Sequence, residues 1–197
     1  MTTRIEFTDS RVFAKAPVIL VLLEENDAPL LIPWINDYAV TRTLGRDGPI
    51  TMEKEKEWLL SCCKNTDVDI TVGIWVRDAQ KLIGGTGLHG IDMKNQHDVF
   101  GISIGDATQW NKGYGTHVLM QILYTAFVRR NMRSVTLNVF SNNLRAVACY
   151  TKCGFIEVGR FTEHMYRDGV WCDTILMQVK RDSWQQIFSK FKREKLV

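Results

Sequence analysis

The stretch DATQWNKGYGTHVLMQILYTAF, residues 106–127, sets Gly113 and Gly115 around Tyr114, between a strand-like run and a long apolar-periodic run. A glycine-rich turn from strand to helix offers free N–H groups and the positive helix end to an anion such as phosphate. A nucleotide-hydrolase P-loop requires Lys and Ser/Thr directly after its final glycine, but Thr116 and His117 follow Gly115. A dinucleotide fingerprint requires a third glycine and an acid about twenty residues on. Here Val118 holds the third position and no acid follows in the segment. Downstream, Asn143, Ala146, Val147 and Tyr150 recur at i, i+3, i+4 and i+7, which places an amide and a phenol on one helical face. A rise of about 1.5 Å per residue sets the two roughly 10 Å apart.

The charge pattern points the same way. The chain has 22 acids in 197 residues, yet none falls between Ala107 and Ile156. That window carries Lys112, Arg129, Arg130, Arg133, Arg145 and Lys152, so the net charge of +3 is concentrated there and the remainder is net acidic. An anionic partner follows.

The elements that must position these residues are legible from period and punctuation. Val18–Leu23 reads as a strand, and Asn26–Asp37 and Thr51–Cys63 as helices, the second capped by Thr51 with Glu53 and Glu55 in its first turn. Asp69–Arg77 and Lys81–Gly90 alternate as a hairpin, and Val99–Gly105 is the next strand. In Tyr114–Arg130 the apolar period becomes helical. Ser134–Phe140 is a β-branched strand, Ser141 caps a helix to about Cys153, and Gly154 ends it. Phe155–Tyr166 and Val170–Lys180 form a hairpin across Arg167-Asp168-Gly169. Alternation of strand and helix in the second half requires a parallel pair, Val99–Gly105 and Ser134–Phe140, joined by a crossover helix. The fold class is α/β, a mixed sheet with helices on both faces. With 45% hydrophobic residues and no linker or repeat, residues 1–197 read as a single domain.

Together, GISIGD, WNKGYGT and NNLRAVACYTKCGF resemble the acyl-CoA-binding motifs of the GNAT superfamily of N-acetyltransferases, and within it the ribosomal-protein alanine and spermidine N-acetyltransferase branch. The resemblance runs from about Val99 to Lys180, and more loosely through WINDYAV and EKEWLL upstream. Trp110 suits that branch and departs from the Q/R-x-x-G-x-G/A pattern of the superfamily. The resemblance implies the GNAT fold, a mostly antiparallel sheet whose central parallel pair splays. It implies acetyl-CoA as cofactor, with its pyrophosphate on Trp110, Asn111, Lys112, Gly113, Tyr114, Gly115 and Thr116. It further implies backbone partners for the pantetheine arm at Ile102, Ser103 and Ile104, with Asn143 and Lys152 completing the cofactor site. Both glycines would clear the way for close backbone approach.

By the same resemblance Tyr150 is the general acid that protonates the departing thiolate. A phenol, with a reference pKa of about 10, keeps its proton at neutral pH. The glutamate that many relatives place two positions ahead of a glycine is Val99 here. Asp98 reaches the site only if the strand bulges or a water relays; a water chain without a protein base is the alternative. The resemblance implies a primary amine as acceptor (a peptide N-terminus, a polyamine or another small amine), and Trp34, Asn36, Asp37, Glu163, Tyr166 and Trp171 are candidates to bind it. A non-catalytic acyl-CoA-binding regulatory module is the alternative function.

Metal, membrane and nucleic-acid classes find no support. His89, His97, His117 and His164 lack paired metal spacing, and no run of apolar residues matches a membrane span. The basic C-terminal SKFKREKLV reads as a solvated helix. Cys62, Cys63, Cys149, Cys153 and Cys172 read as reduced thiols, and with no signal-peptide pattern the expected location is cytoplasmic. The reading leaves room for a homo-oligomer.

Overall fold

The computed structural model describes residues 4–45, 48–62, 64 and 66–196. Seven strands form one sheet in the order β1-β2-β3-β4-β5-β7-β6, with β1 Val18–Val21, β2 Ile70–Val76, β3 Lys81–Asp92, β4 His97–Ile104, β5 Ser134–Phe140, β6 Ile156–Arg167 and β7 Val170–Lys180. Every neighbouring pair is antiparallel except β4 and β5. That parallel pair is short: its register is His97↔Ser134, Asp98↔Val135 and Val99↔Thr136. Beyond Val99 the two strands run on unpaired with each other and the sheet opens between them. This is a mixed, mostly antiparallel α/β sheet with a splayed central parallel pair.

Both faces are covered. On one, α5 (Tyr114–Tyr124), which continues through a π turn at Thr125–Arg129, packs Val118, Leu119, Ile122 and Leu123 into a large core with Leu88, Phe100 and Val135. The other face carries α2 (Ala28–Ile35) and α4 (Met52–Cys62), whose Leu31 and Leu59 close a second cluster on Val21, Leu23 and Leu82. Shorter helices α1 (Ser10–Phe13) and α3 (Tyr38–Thr41) complete the N-terminal half, and α6 spans Leu144–Lys152. Thr51 caps α4 as its spacing requires, its Oγ1 accepting from the Lys54 N–H at 3.3 Å. The expected end of that helix, Cys63, lies outside the described residues. The C-terminal α7 (Arg181–Lys195) is more than a solvated helix. Trp184 stacks on Phe188 at 4.5 Å and is 1% exposed, so burial of its apolar stripe docks the helix while its lysines face water.

Two expected element ends are moved by local pairing. The helix after β5 is capped by Asn143, not Ser141, because Ser141 still belongs to the ladder: its N–H donates to the Asp173 carbonyl at 2.9 Å, and its Oγ accepts from the Asp173 N–H at 3.1 Å. The helical phase therefore starts two residues later, and Asn143 folds its Oδ1 back onto the Ala146 N–H at 3.2 Å. The expected turn at Asp168-Gly169 holds, both residues having positive φ (+54° and +80°) as a tight two-residue hairpin demands. β6 is less regular than alternation implies. A register shift between Phe161 and Met165 bulges the strand around Glu163, whose φ is +46°.

Among the described residues no helix is long and apolar enough to cross a membrane. Cys62, Cys149, Cys153 and Cys172 are free thiols.

Candidate active site

The splay opens into a cavity of about 920 Å³ that passes from the α5/α6 side of the sheet to the side covered by α2, α4 and the β6–β7 hairpin. Its walls at the splay are Phe100–Gly105 of β4 and Asn138–Phe140 of β5. Above them lies the turn into α5. Asp106 fixes the start of that turn by accepting from Thr108 N–H at 3.0 Å and Lys81 Nζ at 2.7 Å. Although burial pushes its carboxyl up, these partners hold it down at about 2.

In the turn, Asn111 (φ +61°) and Gly113 (φ +80°) are left-handed, and the backbone between them curls into a concave row. The N–H groups of residues 111–115 meet no acceptor among the described residues. Such a row at the positive end of a helix fits a diphosphate, the charged middle of coenzyme A. The two glycines serve different ends. A Cβ on Gly113 would meet nothing within 4 Å, so that glycine is there for its conformation. A Cβ on Gly115 would stand 3.4 Å from Cys149 Sγ, so that one lets α5 approach α6.

Of the residues proposed for the cofactor, Ile102, Ser103, Ile104, Trp110, Asn111, Gly113, Tyr114, Gly115, Thr116 and Asn143 line the cavity. The Ile104 carbonyl is already taken by the Trp110 indole at 2.7 Å, which pins the turn to the strand end. Lys112 and Lys152 do not line it: Lys112 Nζ donates to Gln109 at 3.0 Å, and Lys152 is exposed on α6. Of the six bases in the acid-free segment, Arg145 alone lines the cavity, its guanidinium 3.9 Å over the Trp110 ring. Arg129 and Arg130 sit at the far end of the crossover helix, bonded to the carbonyls of Phe7 and Asp67.

Tyr150 projects from α6 into the cavity, its ring edge-on to Phe100 at 6.1 Å and tilted on Phe155 at 6.0 Å. Burial pushes its phenol well above the ordinary value, and the thiols of Cys149 and Cys153 add to this. The group is therefore a proton carrier throughout the working pH range.

Asp98 is elsewhere. It shares a β4 face with Phe100 but lies two residues deeper, fully buried, outside the cavity lining, and neither carboxylate oxygen has a hydrogen-bond partner. Burial raises its pKa to about 7 against an opposing pull from Arg130. A carboxyl raised in the folded state binds its proton more tightly there than in the unfolded chain. Its penalty is thus absent at acid pH, grows from the unfolded value near pH 4, and is complete above about 7. Holding the carboxyl at about 7 instead of near 4 makes the ionised form cost roughly 4 kcal/mol, so Asp98→Asn should raise the melting temperature at pH 8 by about 8–16 °C, at about 2–4 °C per kcal/mol for a chain this size, and change it little at pH 4. Scanning calorimetry at the two pH values checks this.

On the other side of the sheet, Trp34 lies flat on the end of β4, where a Cβ on Gly105 would come within 2.5 Å of its ring. The remaining acceptor candidates are not in the lining. Asn36 ties the loop at Ile50 with bonds of 3.0 and 2.8 Å, Asp37 caps α3, and Tyr166 and Trp171 pair across the exposed hairpin at 5.2 Å. The bulge turns Glu163 out of the lining and His164 in, its Nδ1 2.9 Å from Thr174 Oγ1. Tyr38 Oη of α3 donates to Asp168 at the hairpin tip and Arg42, just after α3, pairs with it at 3.4 Å, which ties α3 to the β6–β7 hairpin. Glu55, Trp58, His89, Arg145, Cys149 and His164 line it without having been singled out for the site beforehand. His89 reaches it through strand register and His164 through the β6 bulge, neither of which spacing signals, while Glu55 and Trp58 come from α4 and Arg145 and Cys149 from α6.

Residues 18–156 match the family described as acetyltransferase (GNAT) domain. An uncharacterized N-acetyltransferase, YoaA, of Bacillus subtilis is 24% identical over 159 residues, 80% of this chain and 89% of the relative. Spermidine N(1)-acetyltransferase of Vibrio cholerae is 31% identical over 110 residues, 55% of this chain and 63% of the relative. In three dimensions the chain superposes on spermidine N-acetyltransferase from Vibrio cholerae, solved in complex with CoA and spermine, with a TM-score of 0.78 at 20% identity, over 86% of this chain and 99% of that one. The splayed strands, the row of N–H groups and the match over most of the sheet lead to one conclusion: the chain belongs to the GNAT acetyltransferase family.

Proposed function

We propose that this acetyl-CoA-dependent N-acetyltransferase holds its cofactor on the α5/α6 side of the splay and receives a primary amine from the α2/α4 side. The observation that carries the proposal is the run of unpartnered N–H groups at residues 111–115, opening onto the same cavity as Tyr150. Acetyl-CoA supplies the acetyl group as a thioester. The backbone of residues 111–115 binds its diphosphate, with Arg145 as the flanking cation. The β4 edge at Ile102 and Ser103 faces the opened strand pair and orients the pantetheine arm, and the Nδ2 of Asn143 is left over from its capping bond to do the same. Tyr150 holds a proton at Oη, ready for the sulfur.

The acceptor side supports a cation. Trp34 and Trp58 present aromatic faces, Glu55 brings a carboxylate to the wall, and among the described residues no Lys or Arg lines that side. Among the relatives, spermidine N(1)-acetyltransferase acts on spermidine, a polycationic amine. We assign a polyamine or a similar small polyamine-like molecule as the acceptor class. The test is thiol release from acetyl-CoA with spermidine, an aminoglycoside and an alanine N-terminal peptide as separate acceptors. Turnover with the polycations is expected. Turnover with the peptide alone would overturn the acceptor class, and turnover with none, despite bound acetyl-CoA, would overturn the assignment of an amine acceptor.

A further inference from the structure

We propose that His89 is the general base that takes the proton from the acceptor amine, with Asp69 as the residue that positions its ring. The inference rests on the acetyl-transfer reading above.

Register places the ring. His89 pairs with Val99 and Gly87 with Gly101, so His89, Gly87 and Gly101 project on one face, while Leu88 and Phe100 point to the opposite, α5-covered face. Glycine at both flanking positions makes room: a Cβ at Gly87 would stand 3.1 Å from His89 Nε2, and one at Gly101 3.3 Å. Nε2 therefore lies along the β4 backbone beside Gly101, and the ring lines the cavity. The β4–β5 ladder ends at Val99↔Thr136, so the opening of the sheet begins where that nitrogen points. On the far face Tyr150 packs edge-on against Phe100, the residue next to Gly101. A base and an acid thus flank the opening from opposite faces of the sheet. That is the arrangement needed when an amine attacks from one side and a thiolate departs on the other.

The other ring nitrogen faces a carboxylate. His89 Nδ1 stands 3.4 Å from Asp69 Oδ1, and that oxygen is itself fixed by the Gly90 N–H at 3.2 Å. A carboxylate at Nδ1 favours the Nδ1–H tautomer, leaves Nε2 bare to accept a proton, and stabilises the cation formed. The ring is 46% exposed, so the charged form is not stranded in an apolar core. Asp69, just before β2, is the carboxylate beside it, and the cavity it lines also carries Glu55 of α4, His164 of the hairpin and, on the α6 side, Arg145. In the step itself the amine nitrogen bonds to the acetyl carbon as the carbon–sulfur bond breaks. The nitrogen's proton passes to His89 Nε2, and the sulfur takes the proton of Tyr150; solvent then returns one proton to Tyr150 and removes one from His89.

The experiment combines steady-state kinetics with acetyl-CoA and spermidine, CoA calorimetry, and ring 15N NMR of the protein without cofactor. For H89Q, kcat should fall about a hundredfold or more with CoA affinity unchanged. D69N should lower kcat with CoA affinity unchanged and turn the ring away from the Nδ1–H tautomer in the NMR, an effect a merely structural role would not produce. The NMR should show the Nδ1–H tautomer. Wild-type turnover by a folded H89Q, or an Nε2–H ring, overturns the assignment. Absence of spermidine transfer by the wild type, with CoA bound, instead rejects the acceptor class and leaves the tautomer to decide on His89.

Discussion

Tyr150→Phe will lose about a hundredfold to ten-thousandfold in kcat, roughly 3–5 kcal/mol of barrier, and keep its affinity for CoA. The packing argument separates the two quantities. The ring rests on Phe100 and Phe155 at 6.1 and 6.0 Å, contacts that phenylalanine reproduces, so neither the fold nor the cofactor groove should shift. What disappears is the proton at Oη. Burial raises the phenol above its ordinary value, so the wild-type group stays protonated and cannot act as a base below strongly alkaline pH. The service proposed for it is donation to a departing thiolate, a charge that exists only as the reaction proceeds, so the loss should fall on turnover. Water can protonate some of the thiolate, so a residual rate is expected. Steady-state kinetics with spermidine, paired with CoA calorimetry, give both numbers. A Phe variant turning over at the wild-type rate with chemistry rate-limiting would make Tyr150 a packing residue.

The parts of this molecule that were legible beforehand are those specified by short-range pattern. Ser134–Phe140 was readable to the residue because β-branched alternation is flanked by turns, and the parallel pair followed from a crossover helix between two such strands. The turn into α5 was legible because a glycine at a strand-to-helix junction marks a left-handed backbone, which Gly113 adopts at φ +80°. Asn143 was placed in the site on helical spacing, yet it lies outside the helix as its cap. It reaches the cavity for a different reason: Ser141 stays bonded to Asp173 of a strand some thirty residues on, which no local pattern reveals. The acceptor side was legible least. Glu163 and His164 exchange roles across a bulge, and the ring of His89 finds room only because Gly87, two positions away on its own strand, and Gly101, paired with Gly87 on the next, lack side chains. The charge clustering pointed to the right segment for a partly different cause. Arg145 faces the cavity, while Arg129 and Arg130 fasten the end of α5 to surrounding backbone.

Gly113→Val should weaken CoA binding by a hundredfold or more in a protein that still folds. At φ +80°, residue 113 lies where a β-branched side chain is a genuine outlier, with a strain of about 1–2 kcal/mol in the left-handed region. The surroundings impose no further penalty, since a Cβ there meets nothing within 4 Å. The backbone can therefore relieve the strain by rotating residue 113 out of that region, and in doing so it turns the neighbouring N–H groups away from one another. Each hydrogen bond to a charged group is worth about 1.5–3 kcal/mol, so misaligning two of them removes roughly 3–6 kcal/mol of binding. The loss in stability is limited to the strain, a few degrees in melting temperature. Asparagine tolerates the left-handed conformation better than other side chains, so Gly113→Asn should keep the row aligned and bind CoA more tightly than Gly113→Val, although both add bulk at the same point. That ordering distinguishes loss of conformation from simple obstruction. Equal weakening by Asn and Val would mean that the side chain blocks the ligand. Wild-type affinity in a folded Val variant, measured by calorimetry with CoA, would mean that the diphosphate is held somewhere other than residues 111–115.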